Sequence, residues 1–479
     1  MRSKPVRILL GLLASCIVLL LAVALAATRY LHQREKDPTP DAQKLARTLE
    51  IIRTSTAEHH KVLKVLFYGQ SITKSGWESG VLDHWHTTYP NTVFVTQNRA
   101  LGGFPSTDLL RSTEQDIAAF TPDLIVFQVY GNHRDYEKII RLFRSRTAAD
   151  IILQNDHGNT LPDPVCTEGI RRTLHRPAGC TGTFWLHQRV WEDEMSYHHV
   201  PSIAKKYGAA MEPQRIWYRN YFLRTHIDPR TLTIDGLHPN EQGKVLLARF
   251  FNQYFDSVVA SWNGQTSHAI ESLPASTAQQ SDIAFDGTRL ELLTSAPLTT
   301  FPTITLDGTP TASTDGCYLN TRASTVSIVP DWPSTRRITL HHDHTVEDWT
   351  AVITNISPDQ KHFHFTLHGS VTGDDGSGDS THDFTSNSGK LKLDAQDWMP
   401  ARAFNLKHTT LTTPFTVTWS VINQCAGTPE VIDLGNGQTQ YRYTLVTGAP
   451  NTRHTLHWQT TPELLQATTE LRAYKPPLN

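Results

Sequence analysis

The chain has 479 residues, 44 of them basic and 46 acidic, with no long run of either sign. That balance excludes the basic footprint expected of a nucleic-acid partner. The length exceeds one ordinary hydrophobic core and predicts two or three units.

The first element is Ile8 to Ala27, "ILLGLLASCIVLLLAVALAA", which carries no charge. At about 1.5 Å rise per residue it is as long as the hydrocarbon core of a bilayer, so residues 1–36 are expected to form an N-terminal membrane anchor. Ala24-Leu25-Ala26 also resembles a signal-peptide cleavage site, and Leu13-Ala14-Ser15-Cys16 a lipobox. All three readings export the rest of the chain and place the catalytic part outside the cytoplasm. Residues 37–61 are polar and partly helical in pattern, and are expected to be a stalk.

From residue 62 to 258 short apolar runs alternate with amphipathic stretches. "VLKVLFYG", "TVFVTQNRA", "DLIVFQVYG" and "ADIILQND" read as strands, and "DYEKIIRLFRSRT" and "EQGKVLLARFFNQYF" as helices. That alternation predicts an α/β fold, a parallel sheet flanked by helices, with its ligand site at the carboxyl ends of the strands. Residues 259–281 are linker-like in composition. Residues 282–479 are rich in Thr with period-two runs such as "HFHFTLHG" and "FTVTWSVI", which predict an all-β sandwich domain. Outside the apolar segment the cysteines fall into two regional pairs. In an exported chain these read as the disulfides Cys166–Cys180 and Cys317–Cys425.

The residues that carry chemistry sit where strands end. In "VLFYGQSITKSG", Ser71 follows an apolar run and Gly69-Gln70. A hydroxyl becomes a nucleophile when a base takes its proton, a carboxylate orients that base, and donors await the developing oxyanion. "TIDGLHPNEQG" supplies Asp235 and His238, spaced so that one loop presents the carboxylate to one imidazole nitrogen and turns the other outward. The backbone N–H groups of Ser71 and Gly103 and the side-chain amide of Asn132 are three oxyanion-hole donors from three strand ends.

Taken together, the four blocks resemble the SGNH hydrolases, the GDSL-type esterases and lipases, over about residues 62–256. The resemblance implies Ser71 as nucleophile, Gly103 and Asn132 in the oxyanion hole, and Asp235 and His238 as acid and base, with no cofactor and no metal. Two blocks depart from the family pattern. Gln70 stands in place of the usual acidic residue, and Tyr130 and His133 flank Asn132 where Gly and Asp are usual.

Other groupings read as structural. Asp156 and His157 fit a polar loop better than a second acid/base pair. His362, His364 and His368 alternate along one solvated strand face, and residues 373–380, "GDDGSGDS", read as a hairpin tip rather than a Ca²⁺ loop. Trp185, Trp191, Trp217 and Tyr218 suit stacking on sugar faces or ordinary packing equally. The sequence thus predicts an exported serine esterase acting on acylated carbohydrate. A lipid esterase, an acyltransferase and a non-catalytic glycan binder are the alternatives. Since every proposed catalytic residue precedes residue 240, the β domain is expected to be dispensable for chemistry on small esters.

Overall fold

The computed structural model describes residues 15–26, 42–157, 192, 194–326, 329, 331–341, 344–407, 410–435 and 437–478. The Cys166–Cys180 pair, Trp185 and Trp191 lie outside the described residues. Of the expected membrane segment only residues 15–26 are described; they are helical and exposed. Among the described residues no helix is long and apolar enough to cross a membrane.

The N-terminal domain is built on five parallel strands: β1 (Lys61–Gly69), β2 (Thr92–Asn98), β3 (Leu124–Gln128), β4 (Asp150–Gln154) and β5 (Ala210–Glu212). Their order across the sheet is β2-β1-β3-β4-β5, every pair parallel. The central strands are buried on both faces, which is why they read as nearly unbroken apolar runs. Alternate residues of β1 serve the two layers. Val65 and Phe67 pack on one face with Trp77, Trp85 and Phe251, and Leu66 and Tyr68 pack on the other with Ile117, Ile139 and Phe143. The winding direction reverses between β1 and β3, so the loops leaving their carboxyl ends diverge and open a crevice there.

The stalk expectation is corrected. Ala42–Leu45 is a 3-10 turn leading into helix α1 (Ala46–Thr54), and Leu45, Leu49 and Ile52 are buried in the core beneath the sheet. The Thr48 amide donates to the Asp150 carboxylate at 2.7 Å, tying this helix to the start of β4. The linker expectation is corrected likewise. Ile270–Pro274 is a strand paired antiparallel with Thr468–Tyr474, nearly at the other end of the chain.

The C-terminal part is antiparallel β, as expected, and it holds two cores. Strands from residues 270–310 and 430–474 form two sheets around Phe285, Leu292, Tyr443, Trp458 and Leu471. Strands from residues 318–423 form two more around Trp349, Phe365, Leu367, Val417 and Trp419. The second body is therefore inserted into the first. The Cys317–Cys425 disulfide closes the neck of this insert, with Cα atoms 5.5 Å apart, beside the strand pair Tyr318–Asn320 and Phe415–Asn423. Within the insert, residues 373–379 form an edge strand rather than a hairpin tip. Asp375 is buried there and accepts hydrogen bonds from the Ser388 amide and hydroxyl at 2.6 and 2.7 Å. His364 and His368 face outward, and among the described residues no cluster suited to a metal ion occurs.

The insert docks on helix α2 (Ser106–Phe120) through charge. Arg322 reaches Asp116 at 2.6 Å, Arg111 reaches Asp397 and Asp394 at 2.6 and 2.8 Å, and Asp108 is bound by both Arg336 and Arg402. Val326, Trp332, Met399 and Ala403 complete the apolar layer on that face of the parallel sheet. The chain closed by the disulfide is 108 residues long. Replacing Cys317 and Cys425 by Ser should cost about 2–5 kcal/mol by restoring freedom to the unfolded loop, read as a lowered denaturation midpoint against the wild type under oxidising conditions. An unchanged midpoint would show that the neck needs no covalent closure.

Candidate active site

The crevice between β1 and β3 is where the sequence-predicted residues meet. β1 ends at Gly69, and the chain turns through Gln70 into the single helical turn Ser71–Lys74, so Ser71 leads the turn. Gly69 is required there, because a Cβ on it would lie 2.0 Å from the Gln128 carbonyl oxygen of β3. The Gln70 amide donates to that same oxygen at 3.2 Å, pinning the nucleophile loop across the crevice.

His238 arrives from the far end of the domain, on the loop before the helix Glu241–Ala260, whose N-cap is Asn240. Its Nε2 lies 2.9 Å from Ser71 Oγ and its Nδ1 2.7 Å from Asp235 Oδ2. Asp235 Oδ1 accepts from the amides of His238 at 2.8 Å and Leu237 at 3.0 Å. Those bonds, the His238 amide foremost and the imidazole next, hold the carboxyl down at about 2. A carboxylate can only accept, so Nδ1 carries the proton and Nε2 is left to accept the Ser71 hydroxyl. The three groups thus form one hydrogen-bonded chain of fixed polarity. The pair is open to solvent, with side-chain exposures of 37% for His238 and 53% for Asp235.

The remaining predicted residues lie on the loops that follow β2 and β3. The loop after β2 docks on β1 through the Leu101 amide to the Gly69 carbonyl at 2.9 Å. It brings Gly102 against Ser71, where a Cβ added to Gly102 would sit 3.7 Å from that of Ser71. Gly103 follows with φ +77°, a backbone region that disfavours any side chain. Asn132 caps the helix His133–Arg146, its Oδ1 accepting from the Arg134 amide at 2.9 Å. The cap occupies the oxygen and orients the amide, leaving Nδ2 as the donor end.

Behind the loop of Asp235 and His238, Asp156 and His157 are buried, where the sequence predicts an ordinary polar loop. His157 Nε2 donates to the Leu237 carbonyl at 3.0 Å and its Nδ1 lies 3.1 Å from Asp156 Oδ1. It therefore braces the loop that carries Asp235 and His238 and does not face Ser71. Tyr130 contacts Ser196 Oγ and the Asp156 amide, and Gln154 donates to Glu212 at 2.6 Å. Trp217 and Tyr218 pack against Phe250, and Tyr218 is buried there, which removes it as a sugar-stacking surface.

Two residues at the site were not foreseen. Trp332 of the insert donates its indole N–H to the Gly102 carbonyl at 2.6 Å, and Arg402 donates to the Gly103 carbonyl at 2.9 Å. The β domain, expected to be dispensable for chemistry on small esters, thus reaches the loop beside Ser71, where both carbonyls of the glycine pair accept from it. No local signal marks these residues, because their partners lie more than 200 positions earlier in the chain.

No protein-family model matches the chain, and no curated protein sequence matches it. Among solved structures it resembles Axe2, an acetylxylan esterase from Geobacillus stearothermophilus, at 19% identity over 40% of this chain and 93% of that one, TM-score 0.31. It also resembles LAE5, an alpha/beta hydrolase from the metagenome of Lake Arreo, at 18% identity over 41% and 96%, TM-score 0.31. A two-domain esterase active on acetylated mannans, CEX, aligns over 91% of this chain and 96% of that one, at 14% identity and a TM-score of 0.34.

Burial pushes the Glu212 carboxyl up to about 8 from an ordinary 4.5, with the Gln154 amide offsetting part of the shift. The folded protein therefore holds a proton that the unfolded chain has released throughout the interval between those two values. Stability contributed by this group is full below the lower value and declines as pH rises toward the upper one, by up to about 1.4 kcal/mol per unit. Glu212→Gln should flatten that decline. Melting curves from pH 5 to 8 should show a shallower slope for the variant, and parallel slopes would place the proton elsewhere.

Proposed function

We propose that this chain is an exported serine esterase that removes short acyl groups, acetyl in the first place, from carbohydrate. The observation that carries the chemistry is the run of contacts from Ser71 Oγ through His238 to Asp235, at 2.9 and 2.7 Å. In the proposed reaction Ser71 Oγ attacks the ester carbonyl while His238 Nε2 takes its proton. The oxyanion is met by the Ser71 and Gly103 amides and by Asn132 Nδ2. The C–O bond to the alcohol then breaks, the imidazolium returns its proton to the leaving oxygen, and an acyl-serine remains. Water deprotonated by His238 repeats the sequence in reverse and releases the acid. Asp235, held at about 2, stays anionic throughout and stabilises the transient imidazolium. Every group in these steps belongs to the chain itself.

The substrate reading draws on the surroundings of the serine. The acid/base pair is open, and the Lys74–Asp331 ion pair, 2.5 Å, lies beside Gly102 at the rim. A charged, hydrated rim suits a polyhydroxylated acceptor better than a long acyl chain, which needs apolar walls. Export is supported by the uncharged N-terminal run and by the Cys317–Cys425 bond, which persists in oxidising compartments.

The wild-type protein should take up a fluorophosphonate at Ser71, located by peptide mapping, and should release acetate from acetylated xylan or mannan. Ser71→Ala should abolish labelling and lower kcat on an aryl acetate by at least about 10³-fold. Asp235→Asn should lower kcat by about 10²–10⁴-fold with little change in KM, because the imidazole loses the partner that fixes its tautomer. Full hydrolysis by Ser71→Ala would overturn the assignment.

A further inference from the structure

The two carbonyls that flank the Gly103 nitrogen's surroundings are both anchored from outside the catalytic domain. Trp332 Nε1 donates to the Gly102 carbonyl at 2.6 Å, and an Arg402 nitrogen to the Gly103 carbonyl at 2.9 Å. In a trans peptide the C=O and the following N–H point in opposite directions. Fixing the Gly102 carbonyl toward Trp332 therefore aims the Gly103 N–H away from Trp332. Gly102 itself lies beside Ser71, where a Cβ added to it would fall 3.7 Å from that of the serine.

The anchor is rigid. Trp332 is 3% exposed, stacks edge-on with Phe104 at 5.1 Å, and lies in the apolar layer that includes Leu101 and Phe104. A Cβ on Gly103 would lie 3.0 Å from its ring, a tight approach that adds to the preference for glycine set by φ +77°. The Arg402 guanidinium sits 5.7 Å from the same ring and is held by Asp108 on α2. Ring, guanidinium and carboxylate thus clamp a two-glycine loop whose own backbone would otherwise be the most flexible in the site.

We propose that Trp332, seconded by Arg402, is a positioning residue for the oxyanion hole, so that the inserted β body sets the orientation of a donor in a site whose nucleophile, acid and base all lie in the other domain. The proposal rests on the acyl-transfer reading of Ser71. Preorganisation of oxyanion donors acts on kcat rather than on ground-state binding, and losing one outright costs about 10²–10³-fold.

The test uses the full chain and the variants Trp332→Phe, which keeps an aromatic ring and removes only the donor, and Arg402→Lys, which keeps the charge facing Asp108 and removes the fork. On an aryl acetate each should lower kcat by about 10- to 100-fold with KM within about threefold. The ratio of rates on the acetate and on its thiono analogue should fall in both, because a thiocarbonyl gains less from oxyanion donors. A merely structural loss would lower both substrates together and leave that ratio unchanged. Wild-type kcat in Trp332→Phe, or an unchanged ratio in folded variants, overturns the proposal. Should Trp332→Phe fail to fold, Arg402→Lys carries the same readouts. Fluorophosphonate labelling of wild-type Ser71 separates the two readings: an inert serine sinks the esterase assignment, whereas a reactive serine with wild-type ratios in the variants sinks only the clamp.

Discussion

Helix α2 carries three charges that cannot be left to themselves. Asp108 and Asp116 are 5% and 1% exposed, and Arg111 lies between them on the same helix, turned toward the insert. Burying a charge without a partner is expensive, and removing one member of a buried pair typically costs about 3–5 kcal/mol. Asp116 is met within its own domain by Arg99 at 3.4 Å and by the Tyr68 hydroxyl at 2.9 Å, but the other partners, Arg322, Arg336, Arg402, Asp394 and Asp397, come from the inserted β body. The docked arrangement therefore supplies Asp108 and Arg111 with the counter-charges that their burial calls for. Lys64 extends the same logic to the other β body. It is buried in the middle of β1, burial works to lower its pKa, and its ammonium is met by Glu430 at 2.6 Å.

The catalytic chain is arranged along a different principle. Asp235 is exposed, so its charge needs no buried counter-ion; two amides of its own turn and the imidazole are enough to hold it ionised. The loop that bears it is braced from behind by His157, whose contact with the Leu237 carbonyl fixes the backbone between acid and base. Ser71, His238 and Asp235 thus have rigid support on the buried side and open access on the other, the arrangement that the proposed function needs.

The parts legible in the sequence are those with short-range causes. The strands of the parallel sheet announced themselves through runs such as "KVLKVLFYG", because both faces are covered and no polar alternation interrupts them. The acid and base shared one tight loop, so their spacing alone carried the geometry. Where partners are remote the sequence was silent or misleading. Residues 42–54 looked like a stalk because only one face of that short helix is apolar, and the partner of Thr48 is Asp150. Residues 270–274 looked like linker because an edge strand paired on one side, with most of its side chains in solvent, shows little alternation. The stretch 373–379 has turn composition yet is a strand, its Asp375 satisfied by Ser388 across the neighbouring turn. Trp332 belongs to the same class: nothing in its neighbourhood points to Gly102.

The nesting of one β body inside another also sets an order of events during synthesis. All the residues of the hydrogen-bonded catalytic chain have been polymerised by His238, but the side chains that hold the glycine loop come only at 332 and 402. The outer β body cannot close until later still, when residues 468–474 pair with 270–274. Long-range pairings of this kind form late, since the intervening chain must first be organised. A ribosome-bound chain would thus hold Ser71, Asp235 and His238 without the contacts that Trp332 and Arg402 make to the glycine loop. The surroundings of Ser71 would be complete only in the finished molecule, not in its first completed domain.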